Sequence, residues 1–196
     1  MDPTTTRRTL LAGGLTGSAL GGLALASDAD AAVAVPTAPA VDFFLALAGI
    51  PGDSQDARFP GTFEVLDWTH GAVTSVSPTN TGGGVGKVKP KPFVFVKHVD
   101  QASPHLFKAC ATGRHLATAT LTARRRAAKN EFLVVSLRDV FVSGYVSAPG
   151  AVDAVPLDVV TLDYRVFRTT FFPQNPDGSL GSPVTVGFDY VKNTVL

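Results

Sequence analysis

The chain has 196 residues, with 17 lysines and arginines against 16 aspartates and glutamates, which gives a formal net charge of +1. This near-neutral balance excludes a general electrostatic attraction to nucleic acid or to acidic membranes. The single cysteine, Cys110, excludes a disulfide within the chain, and its place on the apolar side of a predicted helix indicates a packed, unreactive thiol.

Residues 1–32 have the pattern of an export signal. Arg7 and Arg8 form a twin-arginine motif, because a leucine stands two positions after them, and a mildly apolar run broken by glycines follows. Ala29 and Ala31 supply the small side chains that a signal peptidase requires. The alternative, a membrane anchor, is disfavoured by the glycines and by this small-residue end. We therefore expect secretion by the twin-arginine route and no stable membrane insertion once the signal is removed.

A proline-containing linker at 33–40 is followed by one predicted β-rich domain at 41–196. The run at 41–49 is apolar on both of its alternating faces, as in a strand that is buried on both sides. At 61–71 the apolar positions change from one face to the other, which predicts a β-bulge near Leu66.

Residues 72–91 are rich in Gly, Ser, Thr, Pro and Lys and contain almost no large apolar side chain. A loop of this length without secondary structure is uncommon in a compact domain and usually serves in contacts. The glycines and lysines at its centre are the candidate contact residues: Gly82, Gly83, Gly84, Gly86, Lys87 and Lys89. A phosphate loop is rejected, because Thr81 and Val88 stand where that motif requires Gly and Ser or Thr. We interpret the glycines as a source of flexibility.

The clearest helix signal after the leader follows the apolar strand that begins at Phe93. Ser103 is predicted to be the N-cap, because its hydroxyl can accept hydrogen bonds from the free N–H groups of the first turn. Pro104 then occupies the first helical position, where a missing N–H costs nothing. Gly113 stands where the left-handed conformation of a C-cap is needed.

Further strand signals follow a short basic turn. Three arginines at 124–126 are expected at a hairpin tip, where they form either a solvated turn or a docking patch for an acidic partner. Within 132–146 the apolar face changes after Arg138 and Asp139, which predicts a second bulge. The stretch at 155–168 alternates regularly between apolar and polar side chains, which indicates a half-exposed antiparallel strand.

One short helix among many strands predicts a mainly β fold, a small two-sheet antiparallel β-barrel preceded by a helical signal peptide. We find no motif for a catalytic nucleophile, a dinucleotide or a metal cofactor. The histidines fall on separate predicted elements, which argues against a metal site: His70, His98, His105 and His115. The carboxylates at 42, 53, 56, 64 and 67 are expected to be solvated, because their spacing is loose. We therefore predict no catalytic residue, cofactor or metal.

Several motifs stand in one order along the predicted domain. The most specific is at 93–115, where K-x-x-D-x-A-S-P-x-L is followed by A-C-A-T-G. The segments F-L-A-L-A-G-I-P-G-D-S at 44–54 and F-E-V-L-D-W-T-H-G at 63–71 precede it. The chain ends with P-Q-N-P-D-G-S-L-G and then G-F-D-Y-V-K-N. Together these motifs resemble the Hcp family, the haemolysin-coregulated proteins of type VI secretion systems, although Phe188 replaces the tryptophan usual in the closing motif.

The resemblance implies a small β-barrel with one helix, no enzymatic activity, and self-assembly into six-membered rings that stack into a tube. It also implies that the loop at 72–91 reaches neighbouring copies, and that secretion-spike or effector proteins are partners where a type VI apparatus is present. The twin-arginine signal is a departure, because members of the family normally leave the cell through the injection machine. The alternative is a freestanding, monomeric, secreted β-domain that has kept the fold and binds a protein or a small ligand.

Overall fold

The computed structural model describes residues 41–77, 84–150 and 155–196. In chain order the elements are β1 (Val41–Leu47), β2 (Phe63–Val73), β3 (Val76–Ser77), β4 (Gly84–Val85), β5 (Lys89–His98), α1 (Ser103–Thr112), β6 (His115–Arg125), β7 (Glu131–Ala148), β8 (Leu157–Phe171), β9 (Val184–Asp189) and β10 (Thr194–Val195). The predicted leader and linker, with Arg7, Arg8, Ala29 and Ala31, lie outside the described residues. Within the described part, no helix has the length and apolar character needed to cross a bilayer.

Six of the strands close into an antiparallel barrel. Neighbouring strands pair in the order β8, β5, β2, β1, β6 and β7, and β7 pairs again with β8 to complete the circle. Strands β9 and β10 extend the sheet from the second half of β8, beyond the residues that pair with β5. The predicted class, a mainly β barrel with one short helix, is confirmed, and its walls are parts of one continuous sheet.

Apolar side chains from all parts of the barrel wall fill its interior. The predicted alternation in β8 is confirmed, because every second side chain is at most 7 % exposed: Val160, Leu162 and Tyr164 within the core, and Val166 outside it. Phe93 and Phe95 on β5 are fully buried, and the Phe95 ring lies 6.1 Å from that of Phe63. Trp68 is half-buried and stacks on Phe93 at 5.7 Å, so it packs at the margin of the core.

Strand β2 contains the bulge that the sequence predicts. Its pairing with β5 shifts by one residue between Val65 and Asp67, which confirms the irregularity near Leu66. The Leu66 side chain is 48 % exposed, while Val65 beside it is buried. A second shift between Thr69 and Gly71 follows, so the outer half of β2 is more twisted than a regular strand.

Strand β7 contains an irregularity at the predicted place, but of another kind. Asp139 has a φ of 53°, and the buried positions change from odd to even numbers between Leu137 and Val140. The pairing register with β8 stays constant there and shifts only between Val142 and Gly144. The bulge predicted at 138–139 is therefore wrong in position, because one left-handed residue turns the side chains without inserting an extra residue.

Helix α1 begins one residue earlier than the sequence predicts. Ser103 is the first helical residue, and the N-cap is Ala102, which makes no side-chain capping bond. The predicted cap is therefore wrong, because the Ser103 hydroxyl is directed to buried side chains, and Pro104 takes the second helical position. Gly113 is confirmed as the C-cap, with a left-handed φ of 61°, and its N–H bonds to carbonyls of the last turn.

The glycine-rich segment is more ordered at its ends than the sequence predicts. Strand β2 continues to Val73, which pairs with Lys89 at the start of β5, and the short strands β3 and β4 pair beyond them. The Gly86 N–H donates to the Ser75 carbonyl at 2.7 Å, so this part of the segment is a hairpin extension and not a structureless loop. Gly82 and Gly83 lie outside the described residues, whereas Gly84 belongs to β4.

Candidate self-assembly surface

Within the described part of the chain, strands β2 and β9 each have a stretch without a neighbouring strand on one side, as do β7 after Phe141 and β5 before Phe93. Strand β1 pairs only with residues 63–65 of β2, so residues 66–73 pair on one side alone, with β5. Strand β10 and Leu196 cover only residues 187–189 of β9, which leaves 184–186 open. Open strand edges present backbone N–H and C=O groups that can pair with another chain.

Exposed apolar side chains lie beside the open edge of β9. Cross-strand register places Phe171 opposite Val184, Thr169 opposite Val186, and Phe188 opposite Val195, all on one face of the sheet. Four of these side chains form what we call the valine face, and their exposed fractions are 43 % for Phe171, 67 % for Val184, 51 % for Val186 and 71 % for Val195. A contiguous exposed apolar surface of this kind marks an interaction site in a soluble protein.

One of the predicted contact residues lies next to this extension of the sheet. The Lys87 Nζ lies 3.5 Å from the Val191 carbonyl, in the turn between β9 and β10. Gly86 and Lys87 are exposed, as is Lys89 at the start of β5. The hairpin extension and the β9–β10 turn therefore meet on one side of the barrel.

The basic cluster is neither a solvated turn nor a free docking patch. Arg124 lies in β6, its side chain is 11 % exposed, and it binds Asp42 at 3.1 Å and Asp56 at 2.7 Å. Arg126 also pairs with Asp42. The expectation of solvated carboxylates is therefore wrong for Asp42 and Asp56, because β1 and the turn after it bring them to the arginines.

This pairing changes the acid–base behaviour of Asp56. The hydrogen bond from the Arg124 guanidinium, helped by the Arg58 N–H, lowers the pKa of Asp56 to about 2. Because the pKa of Asp56 is lower in the folded state, its ionised form stabilises the fold at pH values above its ordinary pKa of 3.8. This stabilisation is lost as the pH falls towards 2. The ion pair between Arg124 and Asp56 therefore holds β6 against the segment after β1 at neutral pH.

A buried polar network joins the helix to the barrel, and the sequence analysis did not predict it. Lys97 is 1 % exposed, and its Nζ lies 2.7 Å from Asp100 and 3.0 Å from Asp158, which is itself fully buried. The Ser103 hydroxyl donates to Asp158 and lies 3.1 Å from the Lys97 Nζ, while Tyr145 donates to Asp158 at 2.8 Å. The only signal is the motif K-x-x-D-x-A-S-P, since Asp158 is 55 residues away from Ser103.

The network stabilises the charged form of Asp158. Burial by itself raises the pKa of this carboxyl, but the hydrogen bonds from Ser103, Tyr145 and Lys97 outweigh it and hold the pKa below its ordinary value. Two of the three donors, Lys97 and Ser103, are buried, and Tyr145 is partly buried. The arrangement holds α1 on the barrel.

The histidines lie on four different elements, as the sequence predicts: His70 on β2, His98 on β5, His105 on α1 and His115 on β6. His115 lies 3.2 Å from Asp139, and His70 stacks on Phe167 at 4.7 Å. Among the residues of 41–77, 84–150 and 155–196, no three histidine, cysteine or acidic side chains converge to hold a metal ion.

Comparison with known proteins identifies the family. Residues 44–171 match the family described as type VI secretion system effector, Hcp. The chain is 32 % identical to Protein hcp1 of Pseudomonas aeruginosa over 158 residues, which cover 79 % of this chain and 98 % of that protein. The crystal structure of Hcp1 from Salmonella typhimurium superposes with a TM-score of 0.68 at 27 % identity and covers 80 % of this chain and 99 % of its own.

A second solved structure, of a type six secretion system protein, shares the fold with a TM-score of 0.74 at 22 % identity over 79 % of this chain and 99 % of its own. The family comprises secreted structural proteins of the type VI secretion system and not enzymes. By its matched residues, its identity to a curated relative and its barrel, the chain belongs to the Hcp family of type VI secretion system proteins.

Proposed function

We propose that this protein is a structural subunit that joins identical copies of itself head to tail into a closed ring. The observation that supports it best is the pair of open edges, on β2 and β9, at opposite ends of the run β9-β8-β5-β2 in the sheet. Edges on two different strands give each copy two unlike contact sides, and such contacts form rings when the rotation between copies closes. Six copies per ring is the number that the family resemblance implies.

The valine face supplies the apolar part of this contact. Strand pairing alone gives backbone hydrogen bonds, whose net contribution to stability in water is modest. Burial of apolar surface contributes about 25 cal/mol per Å², so covering Val184, Val186 and Phe171 adds the larger share. The hairpin extension with Gly86 and Lys87 is proposed to reach the neighbouring copy, since it projects beside the β9–β10 turn.

Size-exclusion chromatography with light scattering tests the ring. We expect the purified protein to form a particle of six protomers, and the double variant Val184→Lys/Val186→Lys to run as a monomer with unchanged circular dichroism. The control is Thr185→Lys, which adds one lysine to the other face of β9 and leaves the valine face intact. If the double variant formed the same particle as the wild type, the valine face would be ruled out as the contact.

A second candidate is the monomeric binding module. The buried ion-pair network and the closed barrel are as compatible with a monomer as with a ring, because neither depends on a partner copy. A wild-type protein that stays monomeric at high concentration would select this function in place of the ring.

We further propose that the chain is exported by the twin-arginine route, in line with the secretion that characterises the family. The support is the sequence at 1–32, with Arg7 and Arg8 before the apolar run and Ala29 and Ala31 at its end. Changing both Arg7 and Arg8 to Lys should retain the precursor inside the cell, while the same change at Arg125 and Arg126 should not. Undiminished secretion of the first variant, measured by immunoblot of the culture medium, would point to another route.

A further inference from the structure

One histidine lies in the middle of the open stretch of β2. His70 belongs to residues 66–73, which have β5 as a neighbour on one side only within the described part of the chain. Its imidazole stacks on the ring of Phe167 at 4.7 Å, and the ring of Trp68 lies 5.5 Å from it on the same strand. The interplanar angles are 19° and 21°, so the three rings form one stack with His70 at its centre.

The charges nearest to this histidine are positive. A cavity of about 400 Å³ runs beside the open stretch, and His70 and Lys91 line it together with Gly71 and Thr161. Lys89 lies two positions before Lys91 and therefore on the same face of β5. Among the described residues, no carboxylate lines the cavity. The surroundings of His70 therefore do not favour a charged imidazole.

The other titratable groups on the neighbouring strands are neutral or lie on the other face. Tyr164 on β8 donates its hydroxyl to the Lys91 carbonyl, and burial raises the pKa of this tyrosine, so it stays neutral at physiological pH. Asp163 and Arg165 flank Tyr164 and therefore lie on the opposite face of β8. Asp67 precedes Trp68 on β2 and lies on the opposite face for the same reason.

Partial burial already disfavours the protonated form of His70. The residue remains exposed in a single copy, but stacking removes part of its ring from water, and this burial lowers the pKa of His70 below its ordinary value. A second copy that pairs with the open stretch covers the ring further. The charged imidazole is then still less favourable, so protonation opposes the contact.

We propose that His70 makes the ring contact sensitive to pH, so that copies assemble while its imidazole is neutral and separate once it takes up a proton. The inference rests on the proposed ring, whose contact includes the open stretch of β2. A base that is more buried in the assembled state releases protons on assembly, so assembly weakens as the pH falls through the pKa of His70 in the single copy. Histidine is the side chain whose charge ordinarily changes between about pH 5 and 8.

Light scattering after size-exclusion chromatography, at about pH 8 and about pH 5.5, tests the switch. We expect each contact of the wild type to weaken by up to about tenfold per pH unit below the pKa of His70. The variant His70→Phe keeps a flat ring in the stack and cannot titrate, so it should remain assembled at both pH values. The control is His105→Gln at an exposed position of α1, which should dissociate as the wild type does.

The fluorescence of Trp68 identifies the titrating group. A protonated imidazole quenches a nearby indole, and the two rings lie 5.5 Å apart. The emission should therefore fall on acidification with a midpoint below about pH 6.5, and this titration should be absent in His70→Phe and in the second neutral variant, His70→Gln.

The outcomes separate the switch from the ring. Rings that form at about pH 8 and persist unchanged at about pH 5.5, or that dissociate equally in His70→Phe and His70→Gln, would overturn the switch and leave the ring contact standing. A wild type that is monomeric at about pH 8 would overturn the ring contact itself and the switch with it.

Discussion

Replacing Lys97 with methionine lowers the free energy of unfolding by about 3–5 kcal/mol, because it leaves the carboxylate of Asp158 buried without its counter-ion. Asp158 is fully buried and lies 3.0 Å from the Lys97 Nζ. Methionine matches the length of the aliphatic stem, so the loss reflects the charge and not a cavity. The remaining donors, Ser103 and Tyr145, carry no charge and cannot replace the ammonium group.

Urea unfolding followed by the fluorescence of Trp68, the single tryptophan, measures this loss. The control is Lys108→Met, which makes the same substitution at an exposed position of α1 and is expected to change stability by less than about 0.5 kcal/mol. In the double variant Lys97→Met/Asp158→Leu, part of the loss should be recovered, since no buried charge remains. Equal stabilities of Lys97→Met and Lys108→Met would contradict the role of the network.

The pH dependence of the Lys97→Met effect has a definite sign. In the wild type the pKa of Asp158 is held below its ordinary value, so the network stabilises the fold above about pH 4, and this stabilisation is lost at lower pH. Without Lys97 the buried carboxyl takes up a proton more readily. The difference in stability between the wild type and the variant should therefore shrink as the pH falls, beginning at the pH where the variant's carboxyl takes up its proton.

Replacing Phe95 with alanine lowers the free energy of unfolding by about 3–5 kcal/mol, since it removes a fully buried ring from the barrel and leaves a cavity. The ring packs beside Phe63, and β5 pairs with β2 and β8 on both sides, so the backbone has little freedom to collapse into the space. For a domain of this size the melting temperature should fall by about 6–20 °C. Differential scanning calorimetry gives the shift.

The matched control for Phe95 is Phe107→Ala on helix α1. Phe107 is 60 % exposed and touches Tyr145 edge-on at 6.0 Å. Phe107→Ala should lower the free energy of unfolding only by the contribution of one exposed aromatic pair, about 0.5–1.5 kcal/mol. If Phe95→Ala and Phe107→Ala lowered the free energy of unfolding by similar amounts, the core would have to lie elsewhere than in the barrel interior.

The local features of this fold follow from the sequence. The alternation at 155–168 predicts β8 and its buried face, and the change of face near Leu66 predicts the bulge in β2. Gly113 predicts the end of the helix, because a left-handed residue without a Cβ is favoured there. These signals are readable since each depends on residues within about ten positions of one another.

The features that depend on distant residues do not follow from the sequence pattern. The hydroxyl of Ser103 satisfies the rule for an N-cap, but Asp158, far along the chain, competes successfully for it. The arginines at 124–126 have the pattern of a solvated turn, yet Asp42 and Asp56 reach Arg124 across the β1–β6 pairing. The sequence pattern likewise does not predict the open edges, because they depend on where the neighbouring strands end.

The length of β8 has a mechanical consequence. Its first half, Leu157 to Leu162, pairs with β5 in the barrel, its second half, Val166 to Phe171, pairs with β9, and β7 pairs with it along both halves. A force applied to β9 is thus carried by a single uninterrupted strand into the most densely bonded wall of the molecule. A pull along the axis of β9 loads its backbone hydrogen bonds to β8 in shear, so these bonds resist together and not one after another.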